Sequence, residues 1–217
     1  RYAAKDASII KFFFKINSRI NHMVREEQLR LLKGLINHLD NKTNVNAGGI
    51  IKTPADTYIS EDRFEREWNS FFLNHPQIIG LSGDLPKPNT YLTTEDFGSP
   101  VLAVRNDSGE FKAYANVCSH RGVTVESGER GEKTKFSCPF HGWTFDNEGK
   151  LVGYPKKDQF GDIDKDCYGL KELPAVEKFG FLWVHPCTDG VINLDDLLGE
   201  KLLTEFDSWD FQSQVFA

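Results

Sequence analysis

The chain has 217 residues, 39 % of them hydrophobic and 27 % charged, which suits a globular protein with one large domain or a modest domain with appendages. Its net charge of −6, with acidic and basic residues interspersed, offers no basic face for a phosphate backbone and so excludes nucleic acid as a partner. The longest apolar stretch near the start, Ile9 to Ile20, is broken by Lys11, Lys15 and Arg19. It is too short and too charged to span a membrane or to act as a signal-peptide core.

The chain opens on Arg rather than Met, which implies that a segment precedes it. Residues 5 to 40 read as helical, because Ile9, Phe13, Ile16, Ile20, Met23 and Val24 recur at helical spacing, as do Leu29, Leu32, Leu35, Ile36 and Leu39. The Phe12–Phe14 triplet fits a core or helix interface better than a cofactor pocket. Asn41 to Gly49 is polar and ends in a glycine pair, the mark of a loop. A shorter amphipathic helix is predicted over Glu61–Leu73, with Phe64, Trp68, Phe71 and Phe72 largely along one side and Pro76 marking its end.

From residue 78 the texture changes to short β-type runs at Tyr91–Thr94, Val101–Arg105, Phe111–Val117, Lys133–Ser137, Trp143–Phe145 and Phe181–His185. Turn signals separate them at Asp107-Ser108-Gly109, Gly128 to Gly131 and Asn147-Glu148-Gly149. Short strands with this punctuation predict an α+β chain: a small antiparallel β sandwich or barrel behind an N-terminal helical lead. Leu194 to Leu203 reads as helical or irregular, and 205 to 217 as a strand cut off partway. The expected divisions are a helical lead over 1–76, a β domain over 77–187, and a linker with the start of another domain over 188–217.

Four cysteines lie at 118, 138, 167 and 187. In a chain this long and this poor in cysteine, a disulfide framework is a weak reading, and the compartment is read as cytoplasmic, where the Asn41-Lys42-Thr43 sequon is coincidental. Cys118-Ser-His120 and Cys138-Pro-Phe-His141 instead form a C-x-H and a C-x-x-H pair, seventeen residues apart, each bounded by a glycine at 122 or 142. Thiolate and imidazole both suit iron and zinc. A closed zinc tetrahedron usually pairs Cys with Cys and His with His along the chain. Mixed halves suit a binuclear cluster, in which the cysteine of each loop binds one iron and the histidine of each loop the other.

The runs YANVCSHRG (113–122) and SCPFHGWTFDNEGKLVGYP (137–155) resemble the Rieske domain of ring-hydroxylating oxygenase α subunits. The resemblance extends to RFEREWNSFF (63–72) and GLKELPAVEKFGFLWVHP (169–186), and so covers about residues 60 to 215. It implies a [2Fe–2S] cluster held by Cys118, His120, Cys138 and His141. It further implies electrons from NAD(P)H by way of a ferredoxin or flavin reductase, delivered to a mononuclear non-haem Fe(II) that uses O₂ to hydroxylate an organic substrate. The family's full-length α subunit is a homo-oligomer, a trimer. A free-standing Rieske ferredoxin is the alternative, against which the long helical lead and the EFDSWDFQ tail both argue. A zinc-stabilised binding module is a third.

The second iron needs two histidines and a carboxylate. The remaining histidines, 22, 38, 75 and 185, include no H-x-x-x-x-H pair and no carboxylate–histidine cluster, so no residue of this chain is assigned a catalytic role. The catalytic iron is expected in a domain that follows. Cys167 and Cys187 read as free thiols. Arg121 reads as a surface charge or as a partner for the cluster's charge, and Trp143 as a cover over the cluster loop. Respiratory-chain Rieske proteins, which the motif also resembles, bridge their loops by a disulfide and place hydroxyl donors after the second loop. Val123 and Phe140 stand at the disulfide positions and Trp143 and Phe145 at the hydroxyl positions, which implies a low potential here.

Overall fold

The computed structural model describes residues 25–45, 48–161 and 163–207. Among them, two compact units separate: 25–59 with 201–207, and 60–200. The first holds helix α1 (Arg25–Asn41), whose Leu29, Leu32, Leu35, Ile36 and Leu39 are all exposed, and the single-turn α2 (Asp56–Ile59). The expected helix over 5–24 lies outside the described residues. None of the described helices is long and apolar enough to cross a membrane.

The second unit begins with α3 (Glu61–Glu67), capped by the Ser60 hydroxyl, which accepts from the Arg63 amide. It runs into a π-helical turn, Trp68–Phe72, that stacks Phe64, Trp68 and Phe72 in a row with ring centroids 5.8 and 5.1 Å apart. Eleven strands follow: β1 (Gln77–Leu81), β2 (Thr90–Thr94), β3 (Val101–Arg105), β4 (Phe111–Ala115), β5 (Arg130–Glu132), β6 (Lys135–Ser137), β7 (Thr144–Asp146), β8 (Leu151–Gly153), β9 (Glu172–Leu173), β10 (Ala175–Lys178) and β11 (Phe181–Val184). A short turn of helix, α4 (Lys157–Phe160), lies between β8 and β9. Helix α5 (Leu194–Asp207) bends at Gly199, whose φ is 67°. Glu205–Asp207 therefore close a helix rather than begin the expected strand, and 208 to 217 lie outside the described residues.

The strands make three antiparallel sheets in the orders β1-β11-β10, β5-β2-β3-β4-β9 and β6-β7-β8. Strand β3 explains the layering. Its run Val101-Leu-Ala-Val104 is apolar throughout because both faces of the strand are covered. Leu102 and Val104 pack with Phe136, Phe145 and Leu151 of the β6-β7-β8 sheet, while Val101 and Ala103 pack toward Leu182 and Val184 of β11. The five-stranded sheet is thus the middle layer, and the cores on its two sides share β3. Complete burial of one such side chain contributes roughly 1.5–3 kcal/mol.

The six sequence-predicted strands are all present, with ends shifted by a residue or two. Gly128 to Gly131 is not a simple turn: Arg130–Glu132 pair with Thr90–Leu92 as β5. Two hairpins meet their turn chemistry with an acceptor side chain at the first position. Asn106 Oδ1 accepts from the Glu110 amide, and Asp146 Oδ1 from the amides of Glu148 and Lys150.

The turn glycines 109 and 149 both have positive φ, 84° and 73°, but only Gly149 is also hemmed in: an added Cβ would lie 2.5 Å from Tyr114 Cε1, whereas nothing lies within 4 Å at Gly109. Gly149→Ala is therefore expected to cost about 2–4 kcal/mol, combining left-handed strain with overpacking, and Gly109→Ala only about 1–2 kcal/mol. Paired denaturant titrations check this, and equal losses would show that the Tyr114 contact is easily relieved.

Candidate metal centre

The two Cys/His segments fold into loops of the same form. The first is closed by the isolated bridge Val117↔Thr124 and the second by the pair Ser137↔Thr144. Inside each, the cysteine amide donates to the carbonyl five residues on, Cys118 to Val123 and Cys138 to Trp143, both at 2.8 Å. The glycine four residues on donates back to the cysteine carbonyl, Gly122 at 2.9 Å and Gly142 at 3.0 Å. Both glycines sit at positive φ, 71° and 69°, which a side chain would make costly. The C-x-H and C-x-x-H spacings are thus one loop shape carrying its histidine one residue earlier or later.

The loops meet. The Cys118 and Cys138 side chains are neighbours, both are 3 % exposed, and both belong to the core cluster that includes Leu102, Val104 and Phe145. Burial pushes the Cys118 thiol up and the neighbouring Cys138 adds to it, while the amides of His120 and Arg121 donate to its sulfur and pull the other way. Above the thiols the His120 and His141 rings lie 4.9 Å apart, His120 half-buried and His141 exposed. Burial, then the nearness of His141 and Arg121, lowers the pKa of His120 and so favours the neutral imidazole that a metal requires. Among the described residues no three His, Cys, Asp or Glu side chains converge on one point that would suit a single ion. The four donors form two pairs, sulfur inside and nitrogen outside.

An aromatic wall covers one side. Trp143 stacks on the His120 ring at 4.8 Å with 5° between planes, and Tyr154, Phe160 and Tyr168 surround the indole at 5.5–5.9 Å. Trp143 is thereby buried and placed as the sequence reading expected. Phe140 lies against His141 with ring centroids 3.8 Å apart and is exposed, as is Arg121. His38, half-buried, bonds to Thr43 at 2.9 Å, and His75 is exposed. His185 is buried and accepts from the Cys187 amide, and His22 lies outside the described residues. Cys167 and Cys187 are free thiols.

Supports around the loops carry no motif, and sequence reasoning missed them. Buried Asn116 accepts from the amides of Val125 and Glu126 and donates to the Glu126 carbonyl at 2.7 Å, bracing the end of the first loop. Glu126 pairs with Lys133, tying that loop's end to the chain entering β6. Ser119 Oγ donates to the Tyr168 carbonyl at 2.6 Å, and Pro155 closes over Gly142, with its Cγ 3.1 Å from where a Cβ would be. An Asn or Glu a few residues from a ligand loop has no distinguishing spacing, so only the fold reveals these roles.

Residues 75–177 match the family described as the Rieske [2Fe-2S] domain. Over 141 residues the chain is 38 % identical to the large oxygenase component of a naphthalene 1,2-dioxygenase system from Ralstonia sp, covering 63 % of this chain and 29 % of that protein. It is 33 % identical over 151 residues to the oxygenase subunit of glycine betaine monooxygenase from Chromohalobacter salexigens, covering 67 % of this chain and 34 % of the relative. A solved naphthalene 1,2-dioxygenase with indole in its active site superposes with a TM-score of 0.61 at 31 % identity, over 66 % of this chain and 33 % of that one. The chain spans about a third of the length of the curated relatives it matches.

Burial pushes the Glu126 carboxyl up, but Lys133, the Gly128 amide and Tyr91 together outweigh it, so its pKa lies below the ordinary 4.5. The ionised form is therefore the stabilising one: its contribution is present above pH 4.5 and is lost as pH falls through the lowered value. Glu126→Gln keeps an oxygen for Gly128 and removes the charge. Against this variant the wild type is expected to be about 1 kcal/mol more stable at neutral pH, Lys133 being partly exposed, with the gap closing in acid. Denaturant titrations of both from neutral pH into acid check this; a gap independent of pH would contradict it.

Proposed function

We propose that this chain, a member of the Rieske [2Fe–2S] domain family over residues 75–177, is the electron-transfer portion of an oxygenase α subunit and holds its cluster with Cys118, His120, Cys138 and His141. The observation that carries the ligand assignment is the meeting of two loops of one shape, which sets a pair of buried thiols beside a pair of neighbouring imidazoles. A lone zinc would need four donors around one point, and a binuclear cluster needs them in two pairs. When bound, a [2Fe–2S] cluster takes up and releases one electron at a time.

The chain's own residues hold and insulate that centre. The buried cysteines bring their thiolates into the core, where amide donors and the cluster's irons offset the charge. His120 and His141 cap the outer side, and Trp143 and Phe160 keep water from the His120 face. In this reading 77–187 is the Rieske domain, 1–76 a helical lead, and 188–217 a linker into further chain. A ferredoxin or flavin reductase fed by NAD(P)H supplies the electrons in the cytoplasm, and a homo-oligomer, as a trimer, is the working form. A mononuclear Fe(II) site elsewhere in the parent receives them and hydroxylates an organic substrate with O₂. The matched relatives include one from a naphthalene dioxygenase system and one from a glycine betaine monooxygenase, so this portion does not select between ring dihydroxylation and monooxygenation.

Reconstituted anaerobically, the chain is expected to contain two irons and two acid-labile sulfides per molecule. Cys118→Ser and Cys138→Ser should each abolish the cluster, and replacement of His120 or His141 should lose it or change its spectrum. Iron and sulfide assays with visible and electron paramagnetic resonance spectra check this. One tight zinc with no labile sulfide would end the reading.

With a reductase and NAD(P)H the chain should be bleached by one electron per cluster, yet yield no oxidised organic product. Stopped-flow absorbance with product analysis by mass spectrometry checks this. Turnover of a substrate by this chain alone would place an oxygen-activating site within it.

A further inference from the structure

The fully buried Trp143 side chain carries an N–H that has no hydrogen-bond partner among the described residues. Buried donors are nearly always satisfied, and each exception needs a physical account. Solvent is not the partner, since the atom is inaccessible, and for the same reason no group on another molecule reaches it. Another indole of the same unit, Trp183, meets the rule by donating to the Lys178 carbonyl at 3.2 Å.

What surrounds the Trp143 indole narrows the choice. Its ring lies parallel to His120 at 4.8 Å, its carbonyl accepts from the Cys138 amide, and its side chain shares one buried cluster with Cys118 and Cys138. The other neighbours are the rings of Tyr154, Phe160 and Tyr168, which offer at most a weak π-face acceptor. The indole without an acceptor is thus stacked on one of the four Cys and His side chains and shares a buried cluster with two others.

We infer that Trp143 is a positioning and tuning residue: its indole N–H donates to a sulfur of the cluster, while its ring fixes the plane of His120. This inference rests on the cluster assignment above. It supplies a donor at the position after the second loop, where the count of hydroxyls alone found none. A donor to sulfur stabilises the more negative, reduced state, so it raises the potential relative to the same centre without it.

The test uses the full 217-residue chain with its cluster assembled and tryptophan labelled with ¹⁵N at the indole nitrogen only. Pulsed electron paramagnetic resonance of the reduced cluster should show a ¹⁵N coupling and a strongly coupled exchangeable proton in the wild type. Both should vanish in Trp143→Phe, and the midpoint potential of that variant should move to a more negative value with iron and sulfide content unchanged. The labelled wild type gives an answer even if Trp143→Phe assembles poorly. If the cluster forms and no indole coupling appears in the wild type, the N–H faces an aromatic ring and the inference falls. An unshifted potential in a fully loaded Trp143→Phe would overturn it as well. Failure to assemble any iron–sulfur cluster would instead sink the underlying functional reading.

Discussion

Everything at this site depends on a backbone hydrogen bond made twice, from a cysteine amide to the carbonyl five residues ahead. That bond folds each loop back on itself, so the residue at its start points into the core while the residues two and three further on stand at the rim. Closing pairs at 117/124 and 137/144 fix where each loop begins and ends on its strands. The middle sheet then brings the loops together, because Leu102 and Val104 of β3 form the floor on which both cysteines sit. Two buried neighbouring thiols are a poor arrangement for a metal-free protein, since burial makes the Cys118 thiol harder to ionise. Their burial makes sense when cations neutralise them, which links cluster assembly to the stability of this face of the sandwich.

The likeness of the loops stops at their side chains. At the position five residues after the cysteine, the first loop has Val123 and the second has Trp143. At the position two after it, the first has His120 and the second Phe140. Trp143 therefore reaches across to cover His120, and Phe140 folds against its own neighbour His141. One imidazole is enclosed by aromatic rings and the other faces water. His141, Phe140 and Arg121 are exposed on the loops, while Trp143 is buried against His120.

The two loops were legible in the sequence because Cys/His spacing and bounding glycines are local facts. So were the strands whose residues have to be apolar, β3 above all, and the hairpins with Asn or Asp ahead of Gly. The missed elements lack such signals. Strand β5 is Arg-Gly-Glu, exposed throughout, and exists only because β2 offers it an edge. Strands β9 and β10 are short, and Glu172, Val176 and Glu177 face outward, so no alternation marks them. Sequence alone reads 205 onward as a strand, whereas helix continuation claims the stretch as far as Asp207. Asn116 and Glu126 act across distances that sequence spacing does not encode.

The same reasoning explains why Trp143 is the residue on which the local and the global readings converge. From sequence it is an aromatic after a ligand loop, a type usually retained for packing. From the fold it is a buried donor without an acceptor, beside two thiols and stacked on an imidazole. Packing alone would be served by phenylalanine, which fills much of the space and buries no polar atom. An unsatisfied buried N–H costs about 1–3 kcal/mol, so a tryptophan kept there without an acceptor would be a net loss that a phenylalanine avoids. The penalty disappears if the acceptor arrives with the cluster. The indole then belongs to the holoprotein, as the two buried thiols do.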